Sequence, residues 1–354
     1  MNRRSMTLSV ALAAVWLAAA PAYAQDVEAA KKEGKVSVYT STDISQAGDM
    51  VAAFEAKYPG IKVEYNDLGT NGAYNRVISE AAAKQVAADV VWSSAMDQEM
   101  KLFKDGLLES YATSQAKDLP KWASYQNAVY GSTLEPVGMM YNTRAFPKGE
   151  GVPKTRAELI ALLSSDPRVK GKVATFDPEK SGSGFLFATN EARTHADNFA
   201  AVAKAFGAAG GKTYSSSGAM RESVVSGENA LAFNIIGSYA MDWAKSAETL
   251  KAAFFTEDNA AFSRLIAITK GAPHPNAAKL FLDFVLSKEG QEALARKGLP
   301  SVRSDTTVGL NAKNMAQAIG GPVQPIAIDE SLLDYMEPMK RVKFMREWQA
   351  ANKR

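Results

Sequence analysis

Lys35-Val-Ser-Val-Tyr-Thr-Ser-Thr-Asp43 is a short apolar strand that runs straight into a hydroxyl-rich loop. Met50 to Tyr58 behind it carries an apolar helical period. A strand ending in Ser and Thr at a helix N-terminus brings free N–H groups and hydroxyls together, which is a place to hold a ligand. The same unit recurs twice downstream. Ile61-Lys-Val-Glu-Tyr65 alternates as a strand, Gly69-Thr-Asn-Gly72 is a turn cluster that includes Thr70 and Asn71, and Tyr74–Gln85 is a helix. Asp89-Val-Val-Trp92 is a strand, Ser93-Ser94 a loop, and Asp97–Asp105 a helix stopped by Gly106. Three β-loop-α units predict a parallel sheet with helices on its faces, and in such sheets ligands sit beyond the carboxyl ends of the strands.

Upstream of this unit the chain has the three parts of a secretory signal. Arg3 and Arg4 form the positive end, Leu8 to Ala20 the apolar run, and Ala22-Tyr23-Ala24 the small-x-small cleavage site. The expectation is an exported, soluble, periplasmic protein whose mature chain begins near Gln25. The chain has no Cys, which excludes disulfides, thiol catalysis and Cys-ligated metals together. Its formal charge is +3, and Arg3 and Arg4 account for two of these, so the mature chain stands near +1 (3 − 2). A nearly neutral chain does not fit non-specific nucleic-acid binding.

With 354 residues the chain is long enough for two lobes. From Val129 the helical period stops, and Tyr130 to Tyr141 reads as an extended crossover to a second lobe. There Val173-Ala-Thr-Phe176 is a strand, and Ser181-Gly-Ser-Gly184 and Ser215-Ser-Ser-Gly218 open helices. Ala230–Ile236 is a strand ending at Gly237-Ser238-Tyr239, and Ser263–Thr269 is an extended return to the first lobe. The expected division is signal peptide 1–24, lobe one 25–130 plus 260–305, and lobe two 131–259 plus 306–354. A monomer is expected.

Four segments in this order resemble the solute-binding proteins of bacterial ABC importers, in the group of ferric-ion, thiamine, sugar-phosphate and aminophosphonate binders. They are Gly34 to Asp43, Ala88-Asp-Val-Val-Trp92, Val137-Gly-Met-Met-Tyr-Asn142, and Pro273 to Glu292. The resemblance covers nearly all of the mature chain. It implies an α/β, two-lobe periplasmic-binding-protein fold of type II, each lobe a mostly parallel sheet with flanking helices, joined by two extended crossovers. It also implies a ligand held in the cleft, lobes that close as a hinge, and partners in a membrane permease and an ATPase. No cofactor is expected.

The ferric members of that family place two adjacent Tyr at the end of the strand matching Ala230–Tyr239. Here the second position is Ala240 and only Tyr239 is present. The two histidines, His195 and His274, have no metal-ligand spacing. The cleft loops instead carry Ser41, Thr42, Ser93, Ser94, Ser181, Ser183, Gly184, Ser215, Ser217, Gly218 and Ser238 at strand-to-helix junctions. Hydroxyls and exposed N–H groups suit an oxyanion: a phosphate, phosphonate or carboxylate. The plainer reading of each serine is a helix N-cap. Asp43, Asp97 and Glu135 lie in or beside these segments; they suit a cationic part of a zwitterion, or simply a helix N-terminus. Trp92 and Tyr239 are apolar walls or, for Trp92, core. The reading is therefore a small organic oxyanion as ligand, with ferric ion as the alternative and no metal site committed.

Enzyme readings fall short. Gly207 to Thr213 misses the spacing of a phosphate loop by one residue and follows a helix, not a strand. Ser181-Gly-Ser-Gly184 lacks the first Gly of a nucleophile elbow, and no His stands in a recognisable context to activate it. A periplasmic hydrolase is the distant alternative.

Overall fold

The computed structural model describes residues 27–352; the expected signal peptide 1–24 and its cleavage site lie outside them. The strands run in chain order β1 (Lys35–Thr40), β2 (Lys62–Asp67), β3 (Val90–Ser93), β4 (Ser124–Tyr125), β5 (Val129–Gly131), β6 (Glu135–Asn142), β7 (Val173–Phe176), β8 (Lys212–Tyr214), β9 (Leu231–Ile236), β10 (Leu250–Ala253), β11 (Asn259–Phe262), β12 (Leu265–Ile268) and β13 (Val323–Pro325). They form two sheets. Lobe one has the order β2-β1-β3-β12-β5-β4; lobe two has β13-β11-β6-β9-β7-β8, with β10 also paired to β6.

The sheets are mixed rather than mostly parallel. In lobe one β1 pairs in parallel with β2 and β3, but β12 runs antiparallel to β3 and β5. The cause is the route of the chain. β12 arrives from lobe two and enters at the cleft edge, where Leu265 pairs with Ser93, so it must run away from the cleft while β3 runs toward it.

β1 and β3 are covered on both faces and buried almost throughout, as their unbroken apolar runs require. The edge strand β2 keeps Lys62 and Glu64 exposed. The helices Ile44–Lys57 and Pro275–Leu286 close over lobe one, with Phe54 against Phe281 and Phe284 at centroid separations of 5.2 and 5.6 Å. In lobe two the helix Pro338–Ala351 folds back onto the helices Gly182–Thr194 and Ala196–Ala208, where Phe344 meets Phe185 and Phe199.

One local reading changes and two strands are added to those expected. Gly69–Gly72 is the first turn of the helix Gly69–Ala83, so Thr70 and Asn71 stand on a helix start rather than a free turn. Lys212–Tyr214 is an edge strand, β8, reached through a turn in which Gly210 has φ +71°. Leu250–Ala253 is a strand against β6. The lobes also have a third link. After β13 joins lobe two, Ile328 donates its N–H to the Trp122 carbonyl at 3.1 Å, and Glu330 accepts from the Tyr125 hydroxyl at 3.2 Å, both in lobe one. The chain then returns to lobe two at Pro338.

Candidate functional site: the seam between the lobes

The two crossovers run side by side at the floor of the cleft. Ser132 N–H donates to the Arg264 carbonyl at 2.9 Å, and Arg264 N–H donates to Thr133 Oγ1 at 2.9 Å. Here lies a fully buried ion pair. Arg264 Nε donates to Glu135 Oε1 at 2.8 Å and Nη2 to Oε2 at 3.2 Å, with both side chains at 0% exposure. Thr133 Oγ1 donates to Glu135 Oε1 at 2.8 Å, and Ser238 Oγ bonds the other oxygen. Arg264 Nη1 reaches on to Thr42 Oγ1 at 3.0 Å, and the guanidinium lies 5.0 Å from the Tyr239 ring centroid. Glu135 and its surrounding oxygens therefore hold the Arg264 charge where bare burial would expel it. Burial pushes the Tyr239 phenol well above its usual range, against the pull of Arg264. Burial also raises the Tyr65 phenol, whose hydroxyl donates to the Thr42 carbonyl at 2.6 Å.

Above this floor the lobes meet through short polar contacts. Ser41, Ser94 and Ser183 form a line of hydroxyls: Ser41 Oγ lies 3.1 Å from Ser94 Oγ, which lies 2.8 Å from Ser183 Oγ on the opposite lobe. Ser94 N–H also donates to Ser41 Oγ at 3.1 Å. Gly182 N–H donates to Thr70 Oγ1 at 3.0 Å, and Asn71 Nδ2 donates to the Lys180 carbonyl at 3.1 Å. Asn71 in turn accepts from Gln98 Nε2 at 2.7 Å. Asp43 N–H points at the Tyr239 hydroxyl, 3.4 Å away.

Ser41, Thr42, Thr70, Asn71, Ser94, Glu135, Ser183, Ser238 and Tyr239 thus converge on one seam. Asp43 joins through its backbone only, since its carboxylate is exposed and makes no cap bond to its helix. The others are placed differently. Ser181 is a plain N-cap, its Oγ accepting from Gly184 N–H at 3.1 Å. Gly184 answers to packing, because a Cβ there would stand 2.5 Å from Phe176 Cβ. Trp92 is core, with its indole N–H donated to Ser132 Oγ at 2.8 Å. Ser93 is buried and accepts from Ala95 N–H. Ser215 and Gly218 are exposed, Ser217 is half-buried, and Ser216 caps that helix. Asp97 is buried in the lobe interface, and neither carboxylate oxygen has a hydrogen-bond partner.

Arg264, Tyr65 and Gln98 escaped the sequence reading. For Arg264 there was a signal. It is the single charge within the apolar run Ala260–Thr269, and a cation in a buried strand requires a buried partner.

Two crossovers over an interlobe polar seam define a two-lobed solute-binding protein. The chain matches the family of bacterial extracellular solute-binding proteins over residues 39–292. A substrate-binding protein of an ABC transporter from Agrobacterium tumefaciens shares 33% identity, with a TM-score of 0.84 over 90% of this chain and 94% of that one. The fructose-6-phosphate-bound binding protein AfuA of Actinobacillus pleuropneumoniae is 22% identical, with a TM-score of 0.72 over 90% and 98%. Iron-bound HitA of Pseudomonas aeruginosa is 18% identical, with a TM-score of 0.71 over 90% and 99%. The chain belongs to the bacterial extracellular solute-binding protein family and is the periplasmic solute-binding component of an ABC importer. Its role is transport, not catalysis, and its partners are a small-molecule ligand and the importer's permease and ATPase subunits.

Proposed function

We propose that the cargo is a small organic oxyanion (phosphorylated, phosphonylated or carboxylated) held between the lobes by Ser41, Thr42, Ser94, Ser183 and Tyr239 over Arg264. The observation that carries this reading is the Ser41–Ser94–Ser183 line of hydroxyls. It spans the two lobes beside the one guanidinium at the cleft floor. These hydroxyls can turn their donors to an anion that enters the seam.

Ferric ion is the second reading, and the solved relatives of this fold favour it more than they favour a phosphate compound. HitA is iron-bound, and ferric-binding proteins of Mannheimia and Campylobacter share the fold. The side chains weigh the other way. One phenol, Tyr239, stands where a pair of anionic oxygens suits a hard trivalent cation. A guanidinium lies 5.0 Å from that ring and already engages the nearby Glu135 carboxylate, so neither supplies the anionic oxygens a trivalent cation takes.

A thermal-shift screen separates the two. The probes are sugar phosphates, phosphoglycerates, aminophosphonates, thiamine, polyamines and ferric citrate. A cargo at 100 times its Kd stabilises the folded form by about 2.7 kcal/mol. A rise in Tm with an organic anion supports the first reading; a rise with ferric salts alone supports the second.

A further inference from the structure

We propose that Asp97 couples closure of the lobes to uptake of a proton, so that the closed form is favoured as the pH falls through neutrality. Asp97 is in the first turn of the lobe-one helix Met96–Lys104. It is 2% exposed, and neither carboxylate oxygen has a side-chain partner; the N–H groups of Gln98 and of Asp97 itself lie too poorly placed for full hydrogen bonds and offset its burial only in part.

Its cover includes lobe two. Gly182, at the start of the lobe-two helix, sits so close that an added Cβ would stand 2.8 Å from both Ala95 Cβ and Gln98 Nε2, the residues on either side of the Met96-Asp97 pair. The returning segment Glu330–Leu333 packs against the same helix. When the lobes part, the Gly182 end of the lobe-two helix and Arg341 withdraw and the carboxylate meets water, while Glu330–Leu333, tied to lobe one through Tyr125, stays.

The charges around Asp97 do not neutralise it. Arg341, on the lobe-two helix Pro338–Ala351, acts on it without forming an ion pair. Arg193 is engaged with Ser331, Glu330 with Tyr125, and Lys180 with Asp177. Glu99, two residues on, is itself fully buried and pushed well above the ordinary carboxylate range. Tyr74, across on the Gly69–Ala83 helix, is a phenol held neutral by burial.

An unpaired carboxylate in such a place takes a proton rather than remain charged. Burial raises Asp97 from an ordinary 3.8 to about 7 in the closed form. The form with the raised pKa binds the proton more tightly, so protonation favours closure. Between the two values the closed-to-open ratio rises about tenfold for each pH unit lost. This coupling is independent of which cargo is carried, and it raises the apparent affinity for any cargo that needs the closed form.

The absence of Cys makes the test direct. Spin labels on Ser45→Cys and Ser215→Cys, both exposed and on opposite lobes, report the interlobe distance by pulsed electron resonance in cargo-free buffer. The expected result is a short-distance population that grows from pH 8.5 to pH 5.5, with its onset near 7. Adding Asp97→Asn to the labelled pair should leave the molecule closed at both ends of that range. Asp97→Ser serves if the Asn variant does not melt cooperatively. His195→Gln should leave the pH response intact. A wild-type distance that ignores pH overturns the proposal, as does a response that survives both Asp97 variants or one that vanishes with His195→Gln.

Discussion

At the residue scale the Arg264–Glu135 pair decides most. Each group is tolerable only because of the other, and removing one leaves an uncompensated charge at 0% exposure. Glu135→Gln should lower the unfolding free energy by about 3–5 kcal/mol, read from urea midpoints. The double variant Glu135→Gln/Arg264→Met should lose less than the single one, because no charge is then stranded. A double variant as unstable as the sum of its parts would contradict this account. Ser183 carries the lobe-two end of the hydroxyl line, and Ser183→Leu should abolish cargo binding without a change in far-UV circular dichroism. Unchanged affinity would remove Ser183 from the site. The serines were legible in the sequence as a set, but which of them cap and which reach across was not. Ser181 and Ser183 stand two apart at one helix start, and only the fold turns one toward its own helix and the other toward Ser94.

At the element scale the start of the Gly182–Thr194 helix packs directly on lobe one, through Ser183 to Ser94 and Gly182 to Thr70. Gly182→Val would drive a side chain into the Cβ of Ala95, the N-cap of the helix Met96–Lys104, which cannot yield without moving lobe one, and would push the Gln98 amide aside. The expected outcome is a larger radius of gyration in small-angle scattering with cargo present. Affinity should fall tenfold or more, while Tm without cargo stays within about 2 °C, since the lobes' own cores are untouched. A Gly182→Val protein that still closes would show that the seam has slack. The first three β-loop-α units were readable because period-2 and period-3.6 apolar patterns alternate cleanly from Lys35 to Asp105. The antiparallel entry of β12 was not, because the direction of a strand depends on which lobe it comes from.

At the scale of the whole molecule, the two lobes are joined by two crossovers and by a C-terminal stretch that reaches lobe two at β13, touches lobe one at Ile328 and Glu330 and returns to lobe two at Pro338, and they are bonded to each other across the seam. The two crossovers were visible as extended runs without helical period. The third link was not, because Gly298, Gly309, Gly320, Gly321, Pro322 and Pro325 break every period in that stretch, and its contacts to Trp122 and Tyr125 lie some 200 residues away in sequence. The cargo's class depends on that closed seam. The most direct measurement is a calorimetric titration of the mature chain with a panel of sugar phosphates, aminophosphonates and phosphoglycerates, and with ferric citrate, repeated on Ser183→Leu. The account expects one-to-one binding of an organic oxyanion that is lost in the Ser183→Leu protein. Saturable binding of ferric iron alone, or oxyanion binding that survives Ser183→Leu, would contradict it.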